Sequence, residues 1–313
     1  MQFIPTTYLG RSGKVEGGWS SLQYPGEESL PGMLLDAGAF RVLKKNDINV
    51  YYEEIPVAFL YCTSESWDRT DAHRNNKGIG TIEKPFRNLL NAIAQAQFIR
   101  KFFPGMGVRI IIDGTLDYSI EQPVVYPDYY EYPNPFYGDE CVNYGLINGY
   151  NIFFDFTNCT VKDNITLDIS NGYYIGLNAY NIKIRDVPYD IYSSRDEILE
   201  PFGQYECIVF DNCQITGKDF EFRLNNDLIM KSCVVNTDSF SPDYRQGGRS
   251  LIIDCDIHLT GYYDVMGDYV NPYLKSEWVV NSRITSDPKA KYIYVLDKSR
   301  IVNCSVDRPL LEY

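Results

Sequence analysis

Histidine is nearly missing from this chain: His73 and His258 are the two in 313 residues. They lie far apart, so a histidine-built metal centre is not expected. Cys-x-x-Cys pairs are absent as well, which removes the usual thiol spacing for metal binding or redox exchange. No apolar run approaches the ~18 residues of a membrane-crossing helix. Positive charge is scarce: 29 Lys and Arg against 42 Asp and Glu give a net charge of -13. That balance excludes a nucleic-acid partner, whose phosphates must be neutralised by clustered cations. Met1 to Arg11 has neither the basic start nor the apolar stretch of a secretory leader, so the expectation is a protein made and kept in a cytoplasm. The eight cysteines are then read as reduced, buried small hydrophobes rather than disulfides.

What is present is ordinary in bulk and unusual in detail. Hydrophobic residues at 44% and charged residues at 23% are globular values, and the length suits one elongated domain or two compact ones. Tyrosine is abundant, 27 against 16 Phe, a composition that suits β-sheet surfaces and carbohydrate contacts alike.

One short pattern recurs: an apolar residue, any residue, Asn or a substitute, Cys, any residue, then Ile or Val. It reads Phe156-Thr157-Asn158-Cys159-Thr160-Val161, then Phe210-Asp211-Asn212-Cys213-Gln214-Ile215. It returns at Met230 to Val235, Ile252 to Ile257, Val279 to Ile284 and Ile301 to Val306, with a weaker copy at Ala179 to Ile184. The Cys-equivalent positions 159, 182, 213, 233, 255, 282 and 304 are 23, 31, 20, 22, 27 and 22 residues apart. A period near 20 to 23 with longer members is that of a solenoid whose turns carry insertions.

The pattern also specifies a corner. The leading apolar residue and the Asn share one strand parity, whereas the Cys and the Ile or Val share the other, so an unbroken strand could not point every apolar position inward. A one-residue bend at the Asn repairs this, because Asn tolerates the left-handed region better than other non-glycine residues. Two strands then meet at each corner, and the Cys and aliphatic columns stack inward at about 4.8 Å per rung. A leucine-rich repeat has a similar period, but its Leu-x-x-Leu-x-Leu leader precedes none of the copies.

These Asn-marked bends with inward aliphatic and Cys stacks resemble the right-handed parallel β-helix of pectate-lyase-like proteins and phage tailspikes. A second resemblance lies upstream, in Gly80-Thr81-Ile82-Glu83-Lys84-Pro85-Phe86 followed by Leu89, Ala92 and Ile93. It looks like the entry motif of many pectate-lyase-like chains, in which an amphipathic helix plugs the first coil. Phe86, Leu89, Leu90 and Ile93 have helical spacing, and Pro85 suits a first helical turn. Gly78-x-Gly80 lacks the Gly-Lys-Ser/Thr of a phosphate loop. The expected fold is thus all-β, a single-stranded right-handed parallel β-helix over 105 to 313, with an entry segment and capping helix over 55 to 104 and an N-terminal arm over 1 to 54. Val108 to Ile112 is expected as the first buried strand, turning at Asp113-Gly114.

Enzymes of the resembled family act on polysaccharides, but their Asn-Thr-Asp, Gly-His-Gly, Arg-Ile-Lys and Arg-x-Pro-x-x-Arg motifs are absent. Loop acids such as Asp238, Asp243, Asp264 and Asp268 are read as solvated, and no catalytic residue, metal ligand or cofactor is expected. Two surfaces are singled out. The Pro-rich segment 123 to 141 carries Tyr126, Tyr129, Tyr130, Tyr132 and Tyr137 as candidate glycan contacts, with packing of the same rings as the alternative. Ile253, Val280 and Val302 would face outward on successive coils, which implies a strip covered by the chain's own loops or by another subunit. The resemblance implies a non-enzymatic bacteriophage virion protein of the tail, fibre, spike or capsid-attached kind, assembled in the host cytoplasm. Other virion proteins, further copies (a trimer included) or a polysaccharide are its expected partners. A divergent polysaccharide lyase or glycoside hydrolase and an extracellular surface adhesin are the alternatives.

Overall fold

The computed structural model describes residues 3–5, 34–46, 49–63, 80–86, 89–103, 105–117, 147–149, 151–162, 164–167, 169–170, 172–185, 207–218, 221–224, 227–244, 249–296 and 299–312. They form an all-β structure of mostly parallel sheets with one helix, Leu89–Phe102. The first sheet stacks Asn49–Thr63, Gly107–Asp117, Ile152–Lys162, Gly172–Ile175, Cys207–Asp211, Asp227–Lys231, Ser250–Ile253, Trp278–Val280 and Arg300–Val302 in that order. A second sheet stacks Asn178–Arg185, Gln214–Gly217, Val234–Thr237, Asp256–Leu259, Arg283–Ser286 and Ser305–Val306. A third holds Tyr273–Leu274, Ile293–Val295 and Leu310–Glu312. In the last circuits the chain therefore passes from first to second to third sheet and returns one rung further on.

The corners between first and second sheets carry the strongest agreement with the sequence pattern. Asn212, Ser232, Asp254, Asn281 and Asn303 all have positive φ, between 49° and 53°. They are the residues before Cys213, Cys233, Cys255, Ser282 and Cys304. Those five side chains form one hydrogen-bonded ladder. The Sγ of Cys213, Cys233, Cys255 and Cys304 donates toward the carbonyl two residues back, at 3.4, 3.3, 3.1 and 3.3 Å. Each thiol also faces a carbonyl on the preceding rung, that of Tyr174, Phe210, Met230 or Val279. In return the backbone N–H of Cys233 donates to Cys255 Sγ and that of Cys255 to Ser282 Oγ, at 3.4 and 3.1 Å. Ser282 Oγ donates to Val280 O at 2.9 Å. Hydrogen bonding to Cys213, then burial, pushes the Cys233 thiol up to about 12, so the donor proton stays on at neutral pH.

Inward columns supply the core. Leu60, Ile110, Phe154, Tyr174, Phe210, Met230, Ile252, Val279 and Ile301 are in register down the first sheet. The rings of Phe154, Tyr174 and Phe210 stack at 5.2 and 5.1 Å. Ala179, Ile215, Val235, Ile257, Ile284 and Val306 are the matching column of the second sheet. Each fully buried aliphatic or aromatic side chain contributes roughly 1.5–3 kcal/mol before entropy. A single rung has no neighbour to bury against, so stability grows with stacking. Leu89, Ala92, Ile93, Ala96 and Ile99 of the helix join the same core cluster as Leu60, Cys62 and Ile110. Gly80 is required beside it: its φ is +82°, and a Cβ there would meet the Phe86 ring at 2.6 Å.

Four expectations are corrected. Asn158 is no corner: Ile152–Lys162 runs through it, and a bulge sets Phe156 and Thr157 against Ile112 alone. The weak copy is displaced, because Tyr174 and Asn178 pair with Phe210 and Gln214, which puts Gly176 (φ 63°) and Leu177 beneath Asn212 and Cys213. Asn181, also at positive φ, marks another bend, where it accepts from Lys218 N–H at 2.8 Å. Stacking begins earlier than Val108, since Ala58, Leu60 and Cys62 of Asn49–Thr63 are already core, and although Gly114 takes a φ of 95° the strand runs on through Asp113-Gly114 to Asp117. Pro85 precedes the helix rather than opening it, and Phe86 bridges to Cys62. The side chain of Leu90 lies outside the described residues.

Two substitutions probe the corner. Asn212→Val should destabilise by about 1–2 kcal/mol because a β-branched residue resists the left-handed region, while Asn212→Gly should stay within about 0.5 kcal/mol. Ser282→Val should cost roughly 1–3 kcal/mol by leaving the Cys255 N–H without its acceptor, with Ser282→Cys within about 1 kcal/mol. Urea unfolding reads both, and a valine variant as stable as the parent at either position would contradict the corner account.

Candidate functional site

The five tyrosines singled out in the sequence, Tyr126, Tyr129, Tyr130, Tyr132 and Tyr137, lie outside the described residues. The outward apolar strip is described and proves wider than three residues. Ile253 and Val280 are 0% and 3% exposed within a single copy of the chain, and Val302 is 41% exposed. Ile253 and Val280 belong to an apolar cluster with Cys207, Val209, Ile229 and Leu251 on the outer face of the first sheet. Along the rungs from Cys207 to Val280 that sheet is dry on both faces, which is why its strands read as unbroken apolar runs, Cys-Ile-Val-Phe or Leu-Ile-Met.

Two of the loop acids, Asp238 and Asp264, have structural duties. Asp238 accepts a hydrogen bond from Thr260 Oγ1 at 2.5 Å. Asp264 Oδ1 accepts from the N–H groups of Met266 and Asp268 at 2.9 and 2.8 Å. Asp243 stands opposite Arg223 in the second-sheet register. Among the described residues no group of three or more His, Cys, Asp or Glu side chains is arranged to hold a metal ion. No helix among them is long and apolar enough to cross a membrane.

A second set of tyrosines, which the sequence reading did not single out, lies on the third sheet and the turns beside it. Tyr273 and Tyr294 are in register and their rings stack at 4.9 Å, 20° from parallel. Tyr292 meets Tyr294 edge-on at 4.9 Å, with the two hydroxyls 3.1 Å apart. Lys275 Nζ sits 5.4 Å over the Tyr273 ring. Beside them stands a short antiparallel hairpin, Tyr262–Tyr263 against Tyr269–Val270. Tyr263 packs edge-on against Tyr269, and Lys289 Nζ both donates to the Tyr263 hydroxyl at 2.8 Å and lies over its ring. Tyr269 donates its hydroxyl proton to Thr260 O at 2.7 Å. Lys291 N–H donates to Asn271 Oδ1, and Tyr294 N–H to Pro272 O, which joins the hairpin to the sheet.

Such a surface offers apolar ring faces and edges with hydroxyl groups at fixed positions, the combination that suits the mixed CH and OH faces of sugars. Its signal was present in Lys-Tyr-Ile-Tyr-Val, residues 291 to 295, where tyrosines alternate with an inward Ile293 and Val295. It was also present in the extra length between Cys255 and Ser282. No family model, no curated protein and no solved structure matches this chain.

Asp264→Ala tests the rigidity of the hairpin. Amide exchange at Met266 and Asp268 should accelerate by about tenfold or more as two hydrogen bonds to a charged acceptor are lost, with global stability changed by less than about 1 kcal/mol. Unchanged exchange in the variant would mean the tip is held by something else.

Proposed function

We propose that the circuits wind as a right-handed single-chain parallel β-helix whose first rungs are capped by the helix Leu89–Phe102. The chain is, on this reading, a non-enzymatic structural protein of a bacteriophage virion, in a tail, fibre, spike or capsid-attached position, that contacts host-surface glycans. The resemblance of the Asn-corner repeat and of the Gly-Thr-x-x-x-Pro-Phe entry motif to pectate-lyase-like and tailspike chains supports the winding and the virion placement. One observation carries the glycan part: Tyr263, Tyr273, Tyr292 and Tyr294 are held by ring and hydrogen-bond contacts on adjoining circuits, braced by Lys289 and Lys275, with Tyr262 exposed next to Tyr263. A stacked rung architecture suits this task because it holds such rings in place without spending a flexible loop on them.

The binding test is a screen of the full chain against bacterial surface polysaccharides, repeated with Tyr262→Ala and Tyr263→Ala combined. Binding should fall about tenfold or more in the double variant, given about 0.5–1.5 kcal/mol for each aromatic contact. Equal binding by parent and variant would remove this surface from the reading. Appearance of shortened oligosaccharides, lost on replacing loop acids, would turn the assignment to a divergent lyase or hydrolase. A gene position among sugar-transport genes rather than capsid and tail genes would defeat the virion placement.

A further inference from the structure

Cys213, Cys233 and Cys255 place three thiols on successive rungs of one column, each 3% exposed or less, and all the cysteines among the described residues are free. Their sulfurs fill the corner. Cys255 Sγ accepts the Cys233 N–H at 3.4 Å, and each of the three thiols donates to the carbonyl two residues back. Positions one rung apart lie about 4.8 Å from each other, whereas a disulfide holds its two sulfurs at about 2.05 Å. Bonding Cys233 to Cys255 within the column would therefore draw both sulfurs off their hydrogen-bond partners and leave a void in a close-packed interior. Hydrogen bonding to Cys233, then burial, raises the Cys255 thiol far above its ordinary range, so the folded column offers an oxidant no thiolate there. The unfolded chain lacks this protection. Its thiols are open to solvent, and separations of 20 and 22 residues close at modest entropic cost.

We propose that the chain folds only with this column reduced: a disulfide joining Cys213 to Cys233, or Cys233 to Cys255, blocks the corners of those rungs if it forms first, whereas folding first seals the thiols against oxidation. The chemistry is exchange with a small-molecule disulfide such as oxidised glutathione. A thiolate of the unfolded chain attacks it and releases one glutathione thiolate, and the second cysteine thiolate attacks the mixed disulfide and releases the other. One S–S bond forms as one breaks, the two cysteines are oxidised, and glutathione takes up their two electrons and two protons. Ser282 performs the hydrogen bonding of the column with a hydroxyl, so the corner itself does not need sulfur. The thiols add an order of events, in which the fold is completed before the chain meets an oxidising medium.

Refolding of the full chain from urea, in dithiothreitol or in oxidised glutathione, tests this. The yield of folded chain should be about fivefold or more lower in glutathione, and dithiothreitol added afterwards should recover it. Peptide mapping of the trapped chain should find Cys213 bonded to Cys233 or Cys233 to Cys255. Chain folded beforehand should keep its column thiols through the same treatment, with maleimide labelling of them about a hundredfold or more slower than in urea. Cys213→Ser, Cys233→Ser and Cys255→Ser combined should refold in glutathione to within about twofold of its yield in dithiothreitol. If that variant does not fold in dithiothreitol, Cys233→Ser alone, which removes both pairings, replaces it. Equal refolding of the parent in the two buffers, trapped disulfides confined to other cysteines, or a folded parent that gains a column disulfide would each overturn the proposal. Glycan binding is read separately, so either result leaves the function proposed above to its own test.

Discussion

At each left-handed corner a side chain joins the backbone ladder: the thiol or hydroxyl that follows the bend donates to backbone carbonyls, and one rung on it accepts the N–H of Cys233, Cys255 or Ser282. A parallel ladder supplies partners for N–H and C=O only while the strands run straight. At Asn212, Ser232, Asp254, Asn281 and Asn303 the chain turns within one residue, and carbonyls on two rungs face the next side chain. A thiol meets this need and packs as a small hydrophobe. Ser282 performs the same duty with a shorter, stronger hydrogen bond, and Leu177 occupies the column where Gly176 makes the bend without a side chain of its own. Everything inward, from the Phe154 to Phe210 ring stack to the aliphatic column of the second sheet, depends on that corner keeping its register. A slip of one residue would turn each apolar row to the solvent.

Much of this was legible. The parity break across apolar-x-Asn-Cys-x-Ile required a bend and located it at the correct residue in five of the circuits, Asn212 through Asn303. The helix was legible in part: Leu89 and Ile93 stand at helical spacing and the structure buries both, whereas Phe86 of the same set lies ahead of the helix, bridged to Cys62. The failures have specific causes. Phe156 to Val161 has the letters of a corner, but a bulge elsewhere in the same strand absorbs the extra residue, and letters alone do not tell a bulge from a bend. The circuit through Tyr174 to Ala179 was missed because glycine and leucine fill the Asn and Cys positions, which satisfies the backbone geometry while erasing the motif.

The candidate surface was less legible than the frame, for a physical reason. Core columns must repeat on every rung, so they leave a periodic trace. A surface assembled from a hairpin in one circuit and a turn in the next has no period, and its tyrosines are separated in sequence by up to 32 positions, from Tyr262 to Tyr294. The outer apolar strip shows an intermediate case. Ile253 and Val280 are legible as outward positions with the wrong polarity, yet the dry outer face reaches back to Cys207, an extent that no single column of the repeat carries.

The hairpin between Thr260 and Asn271 lengthens its circuit without moving the next corner, Asn281, whose φ of 49° matches that of its neighbours. Insertion is thus tolerated wherever the chain leaves one sheet for the next away from the thiol column, and is resisted at the column itself. What the protein displays along one margin can therefore change circuit by circuit without disturbing the hydrogen-bonded spine beneath.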